Sequence, residues 1–271
     1  MIEKFVKETL AEDVGRGDLY SLVEKNIESS AKIIAKSDGV VAGRKYIDVL
    51  AKLEDFEIIW QKNDADMFVK GDIIATLSGK SHTLLKIERT LLNMLMHASS
   101  IATLTKKYVD LVERYGVKLL DTRKTRPMLR VFEKYATRVG GAVNHRMGLD
   151  DSLMLKDTHL KTIKNLKSYI IKARKSIPFT SKIEVEVETI EAAKEAMRDG
   201  ADIVMCDNMT PEEVIQIVSF RNKKCSHILL EASGNISLET IVAYAKTGVD
   251  AISSGSLIHQ ANWIDISMKM D

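Results

Sequence analysis

Beyond Gly116 short apolar runs alternate with longer mixed stretches. The runs are VKLLDT, SLMLKDT, KIEVEVE, DIVMCDN, HILLEAS and VDAISSG, and each ends in polar residues. Between them stand LKTIKNLKSYIIKARKSI, IEAAKEAMRDG, PEEVIQIVSFRN and LETIVAYAKTG, which read as helices. Alternating strand and helix predicts a parallel sheet, and this many units favours a barrel-like α/β architecture. A doubly wound open sheet is the alternative, because counting strands cannot show closure. Local signals agree. Thr210-Pro211-Glu212-Glu213 is a helix start, with Thr at N-cap, Pro at N1 and Glu at N3. Gly200 and Gly248 close helices just before the next strand.

Before residue 100 the pattern is mixed. A helix is expected over Glu3 to Glu12, followed by a Gly-rich turn. SAKIIAKSDGVVAG and DIIATLSG alternate apolar and polar residues, as half-buried antiparallel strands do. A long helix, roughly Lys86 to Arg114, carries apolar residues at intervals of three and four and bridges the two parts.

With 271 residues the chain has ample apolar surface for one large or two modest domains. A formal net charge of +2 excludes a nucleic-acid binder built on a global basic field. No apolar run approaches a membrane span, and the N-terminus is not a secretory signal, so a cytoplasmic protein is expected. Cys206 and Cys225 suggest neither a disulfide framework nor a zinc site; Cys206, inside an apolar run, reads as core.

The charge that matters is therefore local. Active sites of barrels lie at the C-terminal ends of the strands. Arg123 and Lys124 follow VKLLDT, Lys156 follows SLML, and His145-Arg146 stands between. Converging cations of this kind suit carboxylate or phosphate, although a solvated basic loop is the plainer alternative. Arg126 and Arg130 are placed less firmly and suit the outward face of the next helix. In IEVEVE, Glu184, Glu186 and Glu188 share one strand face. That face either offsets the basic cluster or, through Glu186 with Asp207, binds ribose hydroxyls or a divalent metal. Ser233-Gly234-Asn235 and Ser253-Ser254-Gly255 each fall between a strand and a helix, where backbone N–H groups can face a phosphate.

These segments resemble the quinolinate phosphoribosyltransferase family. EDVGRGD, GVVAG, ERTLLN, LLDTRKT, VGGAVNHRMGL, LMLKDTH, EVEVE, CDNM, LEASGNIS and YAKTGVDAISSG occur in family order over nearly the whole chain. The resemblance implies an α/β protein: an N-terminal open-faced α/β sandwich over residues 1–100, completed by the tail at about 260–271, and an incomplete parallel α/β barrel over 101–259. It implies decarboxylating transfer of phosphoribose from 5-phosphoribosyl 1-pyrophosphate (PRPP) to quinolinate, with Mg²⁺ and no organic cofactor. Quinolinate would be held by Thr122, Arg123, His145, Arg146 and Lys156, with Arg89 reaching in from the partner of a homodimer or a higher oligomer. PRPP would meet Lys124, Lys156, Glu186, Asp207, Ser233, Gly234, Ser254 and Gly255. Lys124, Lys156, Glu186 and Asp207 would be catalytic, with Glu186 and Asp207 also meeting the metal. The chain departs from the family pattern at Met128, where glycine commonly follows Pro127. Rival readings are a transport-linked relative of the family, a Schiff-base enzyme using Lys156, and a phosphometabolite-binding regulator.

Overall fold

The computed structural model describes residues 1–271, in which the chain forms two compact units. The first takes in Met1–Lys106, Tyr135–Gly141 and Ala261–Asp271; the second takes in Lys107–Lys134 and Ala142–Gln260. Tyr135–Gly141 is not marked in the sequence, because it continues an amphipathic helix, Arg130–Val139, whose rhythm does not change at residue 135.

The first unit begins with α1 (Ile2–Val14), β1 (Glu28–Ala35), β2 (Gly39–Val40), α2 (Arg44–Glu54), β3 (Glu57–Trp60), β4 (Met67–Phe68), β5 (Ile73–Lys80) and most of α3 (Ser81–Val112). β1 pairs antiparallel with β5, setting Ala31 opposite Leu77 and Ile33 opposite Ala75, all buried. Alternate residues of β1 stay partly open to solvent, the period of two expected when one sheet face is covered. β3 extends the sheet beyond β5, and the C-terminal strand Ile266–Met270 extends it beyond β1. α3 begins at Ser81, earlier than the expected Lys86, because β5 runs into it without a breaker. No helix is long and apolar enough to cross a membrane.

The second unit contains β6 (Lys118–Leu120), the start of α4 (Arg130–Val139), β7 (Leu153–Leu155), α5 (Asp157–Leu160), α6 (Leu166–Ser176), β8 (Ile183–Val187), α7 (Ile190–Asp199), β9 (Ile203–Asp207), α8 (Pro211–Lys224), β10 (Leu229–Ser233), α9 (Ile241–Ala245), β11 (Ala251–Ser253) and α10 (Ser256–His259). Its sheet runs β6-β11-β10-β9-β8-β7, and every pairing is parallel. On the far side of β6, Leu120 forms one more parallel bridge, to Val143. No ladder joins Val143 to β7, so the ring of strands stays open there. The sheet nevertheless curls: His145, just past Val143, reaches Glu184 of β8 and Glu231 of β10. This is the incomplete barrel rather than the doubly wound sheet.

Local chemistry fixes the helix ends of the second unit. The Thr210 hydroxyl accepts from the Glu213 amide, and the Glu213 carboxylate accepts from the Thr210 amide, capping α8 reciprocally. Gly200 ends α7 with φ 98°, a left-handed conformation that costs glycine little.

Candidate active site

The carboxyl ends of the strands open into a cavity of about 440 Å³. Thr122, Arg123 and Lys124 line it after β6, His145 and Arg146 before β7, and Lys156 after β7. Glu186 of β8, Asp207 of β9, Ser233 of β10 and Gly234 complete the middle, with Ser254 and Gly255 after β11. Of the residues that the family resemblance assigns to the site only Arg89 is absent from this wall; it is an exposed residue of α3, in the first unit.

At the basic end the Arg123 carbonyl accepts from the Thr125 amide at 2.9 Å, but its guanidinium has no hydrogen bond or ion pair with the protein. Arg146 uses one guanidinium nitrogen on the Ser152 carbonyl at 2.9 Å and another on the Met154 sulfur at 3.5 Å, and it too has no carboxylate partner. Burial and the neighbouring Arg123 charge both lower the proton affinity of Arg146, while Glu184 and Glu186 oppose them. Two guanidiniums that repel each other in one wall are made to receive an anion. Lys156 Nζ donates to Glu186 Oε2 at 2.6 Å. An amine that is 42% exposed and held in an ion pair lacks the desolvated pocket of a Schiff-base lysine.

Other charges of the basic stretch are consumed by structure. Arg126 closes its loop on the fully buried Glu133, donating its amide at 2.9 Å and its guanidinium at 2.8 Å. Arg130 donates to the Met147 carbonyl at 3.1 Å. Neither lines the cavity, which agrees with their weaker placement in the sequence.

Beneath the cavity lie groups that the sequence left unassigned. Asp121 and Lys134 are fully buried, and Lys134 Nζ donates to Asp121 Oδ1 at 2.6 Å, to the His145 carbonyl at 2.7 Å and to the Arg146 carbonyl at 3.0 Å. Asp121 accepts in turn from the His145 amide at 2.9 Å. The His145 ring sits between two buried carboxylates, its Nε2 3.3 Å from Glu184 and 3.4 Å from Glu231. Burial would strip a proton from this imidazole, but the Glu184 and Glu231 hydrogen bonds and charges outweigh it and raise its pKa to about 10. Glu184 is also raised, chiefly by burial, so the trio as a unit keeps hold of a proton. The only sequence signal was the unusual acidic face of IEVEVE; nothing local linked it to Glu231.

The opposite end is built from small residues. Gly234 has φ 92°, and a Cβ there would lie 2.3 Å from Asn208 Oδ1. At Gly255 a Cβ would lie 2.8 Å from Lys124 Cδ, so this glycine lets the lysine stem cross. The Ser254 hydroxyl donates to the Ile236 carbonyl at 3.2 Å, holding the two turns together, whereas the buried Ser253 hydroxyl has no partner. Ser237 and His259 also line this end and were not singled out in the sequence. Between the two ends Glu186 and Asp207, half-buried on adjacent strands, offer the hard oxygen donors that Mg²⁺ takes. These residues fit the metal that the family resemblance implies.

Cations at one end, Ser-Gly turns at the other and carboxylates between, at the carboxyl edge of a parallel barrel, define an enzyme that works on anionic, phosphorylated small molecules. Comparison with known proteins narrows the class. Residues 18–99 match the quinolinate phosphoribosyl transferase N-terminal domain, and residues 101–269 match the C-terminal domain. A probable nicotinate-nucleotide pyrophosphorylase (carboxylating) of Bacillus subtilis is 41% identical over 98% of this chain and 92% of its own length. The nicotinate-nucleotide pyrophosphorylase (carboxylating) of Mycobacterium leprae is 33% identical, covering 89% of this chain and 86% of its own. The solved nicotinate-nucleotide pyrophosphorylase of Francisella tularensis superposes with a TM-score of 0.93 at 36% identity, over 100% of this chain and 96% of its own. The chain belongs to the quinolinate phosphoribosyltransferase family, and it is a phosphoribosyl-transferring enzyme.

Proposed function

We propose that the barrel cavity joins quinolinate to PRPP, releasing pyrophosphate and CO₂ and yielding nicotinate mononucleotide in de novo NAD synthesis. The observation that carries this reading is the Arg123–Arg146 pair, two cations in one wall with no carboxylate of their own. Quinolinate is a dianion with adjacent carboxylates, and each guanidinium can grip one through charged hydrogen bonds worth about 1.5–3 kcal/mol each. Lys124 and Lys156 face the pyrophosphate and ribose of PRPP, and the turns at Ser233-Gly234 and Ser254-Gly255 receive its 5-phosphate.

Pyrophosphate leaves the anomeric carbon with the electron pair of the broken C–O bond, while the ring nitrogen supplies the pair for the new C–N bond. Glu186 and Asp207 stabilise positive charge developing on the ribose, and Lys124 stabilises the departing oxygen. Glu186 and Asp207 would also hold Mg²⁺, which when bound would neutralise pyrophosphate charge. The ring nitrogen is now cationic. It accepts the electron pair left when the adjacent C–COO⁻ bond breaks and CO₂ departs, and a proton then joins that carbon.

Arg89 completes the basic end from a second copy of the chain, making a homodimer the minimum assembly, and the enzyme works in the cytoplasm. The test is to incubate the protein with quinolinate, PRPP and Mg²⁺ and to measure CO₂ and nicotinate mononucleotide together. Matched production that stops without PRPP or with chelator supports the reading; no product from folded protein sinks it. For the assembly, Arg89→Ala protein mixed with Arg123→Ala protein should regain activity, since one site of each mixed dimer keeps both arginines.

A further inference from the structure

Asn208 follows Asp207 at the end of β9 and does not itself line the cavity, yet it bonds three residues that do. Its side-chain amide donates to Asp207 Oδ2 at 2.8 Å. Its Oδ1 accepts from Asn235 Nδ2 at 3.0 Å, and its backbone N–H donates to the Ser233 carbonyl at 3.0 Å. Asn208 therefore holds the turn after β10 on both sides of Gly234. The fit is close, because a Cβ on Gly234 would lie 2.6 Å from both the Cγ and the backbone nitrogen of Asn208. Both asparagines are left-handed, with φ 54° at Asn208 and φ 49° at Asn235. A Cβ makes that region costly, and asparagine is among the few residues that visit it.

We propose that Asn208 is a positioning residue that couples the Gly234 turn to Asp207. This rests on the reading above, in which Asp207 meets the ribose of PRPP and the turn takes its 5-phosphate. A side-chain amide can turn over, exchanging its donor and acceptor ends. Turned over, Asn208 would set its oxygen against the Asp207 carboxylate. Asn235 opposes this, because its own amide needs the Asn208 oxygen as acceptor. The donor end is thereby fixed on Asp207 Oδ2, which leaves Oδ1 to the substrate. A phosphate that settles the turn thus also settles the carboxylate that receives the sugar.

The rival reading is a turn residue selected for its φ alone. That accounts for the backbone, but neither for the bond between the two side-chain amides nor for the close approach of Gly234 to the Asn208 side chain. Glycine separates the two readings, since it adopts φ 54° freely and carries no amide.

The experiment uses full-length Asn208→Gly, Asn235→Gly and the double variant. The calorimetric probe is ribose 5-phosphate, which carries the sugar and the phosphate but no leaving group. Folding is checked by circular dichroism and thermal midpoint. Asn208→Gly should fold normally, weaken ribose 5-phosphate by at least about fivefold and leave quinolinate binding within about twofold. In turnover the KM for PRPP should rise while that for quinolinate holds. Asn208→Asp, which keeps the shape but sets a like charge against Asp207, should bind more weakly still. Asn235→Gly should reproduce the loss in smaller measure, and it carries the test if Asn208→Gly does not fold. The double variant should be no worse than Asn208→Gly, because Asn235 acts through Asn208. Wild-type affinity in folded Asn208→Gly would overturn the proposal, as would additive losses in the double variant or equal losses of both ligands. A wild type that binds ribose 5-phosphate but makes no nicotinate mononucleotide would sink the assigned reaction, while the affinity ratio would still decide the coupling. Absence of ribose 5-phosphate binding in the wild type would overturn the coupling itself.

Discussion

Lys134 Nζ lies 2.6 Å from Asp121 Oδ1, and both side chains are closed to solvent. The pair does more than neutralise itself, since Lys134 also ties down the carbonyls of His145 and Arg146. Removing one partner of such a pair strands a buried charge, which costs about 3–5 kcal/mol. Lys134→Met should therefore lower unfolding stability by about that amount in urea titration. Activity should fall even under conditions where the variant remains folded, because the His145-Arg146 segment loses its anchor.

Arg123 presents the opposite case. Its guanidinium has no intramolecular partner and repels Arg146. Arg123→Ala should lower kcat/KM by at least about tenfold, some 1.4 kcal/mol, while the thermal midpoint stays level or rises. Near-normal kinetics in the folded variant would remove Arg123 from the carboxylate clamp.

The His145 proton gives a pH signature. Its folded pKa of about 10 stands above the ordinary imidazole value of 6.5. A raised pKa contributes stability that is fully present below the unfolded value and is lost as pH rises through the folded one. Urea midpoints should therefore decline as pH rises from about 6.5 toward about 10, and the decline should shrink in Glu231→Gln. Equal slopes in the two proteins would show that other groups cause the decline.

Gly255 can be tested without disturbing the backbone. An added Cβ meets Lys124 Cδ at 2.8 Å, the stem of an exposed, flexible side chain. Gly255→Ala should fold with a normal thermal midpoint and displace Lys124, raising the KM for PRPP several-fold. A change confined to the quinolinate KM would contradict the placement of PRPP at this end.

Met128 is 94% exposed with φ 66°. A non-glycine residue pays about 1–2 kcal/mol in the left-handed region, and glycine returns part of this as extra freedom of the unfolded chain. Met128→Gly should raise stability by up to about 1 kcal/mol in denaturant titration, with kinetics unchanged.

The amino-acid sequence by itself determined the alternation of strands and helices, the capping of α8 at Thr210 and the residue types at the strand ends. These are local: a period of two or of three to four, a cap, or a glycine acts within a few residues. It also carried the family likeness, through motifs in order from EDVGRGD to DAISSG. Which charges remain available was decided by tertiary structure. Arg123 and Arg126 stand three positions apart, yet Arg123 faces the cavity and Arg126 is spent on Glu133. Nothing local in the sequence marks Lys134, which the structure makes the buried anchor of the site. Glu184 and Glu231 meet across β9 only because the sheet curls, and His145 meets both because its segment crosses from the open edge. Side-chain pairing between distant strands depends on closure and register, and no short-range pattern encodes either.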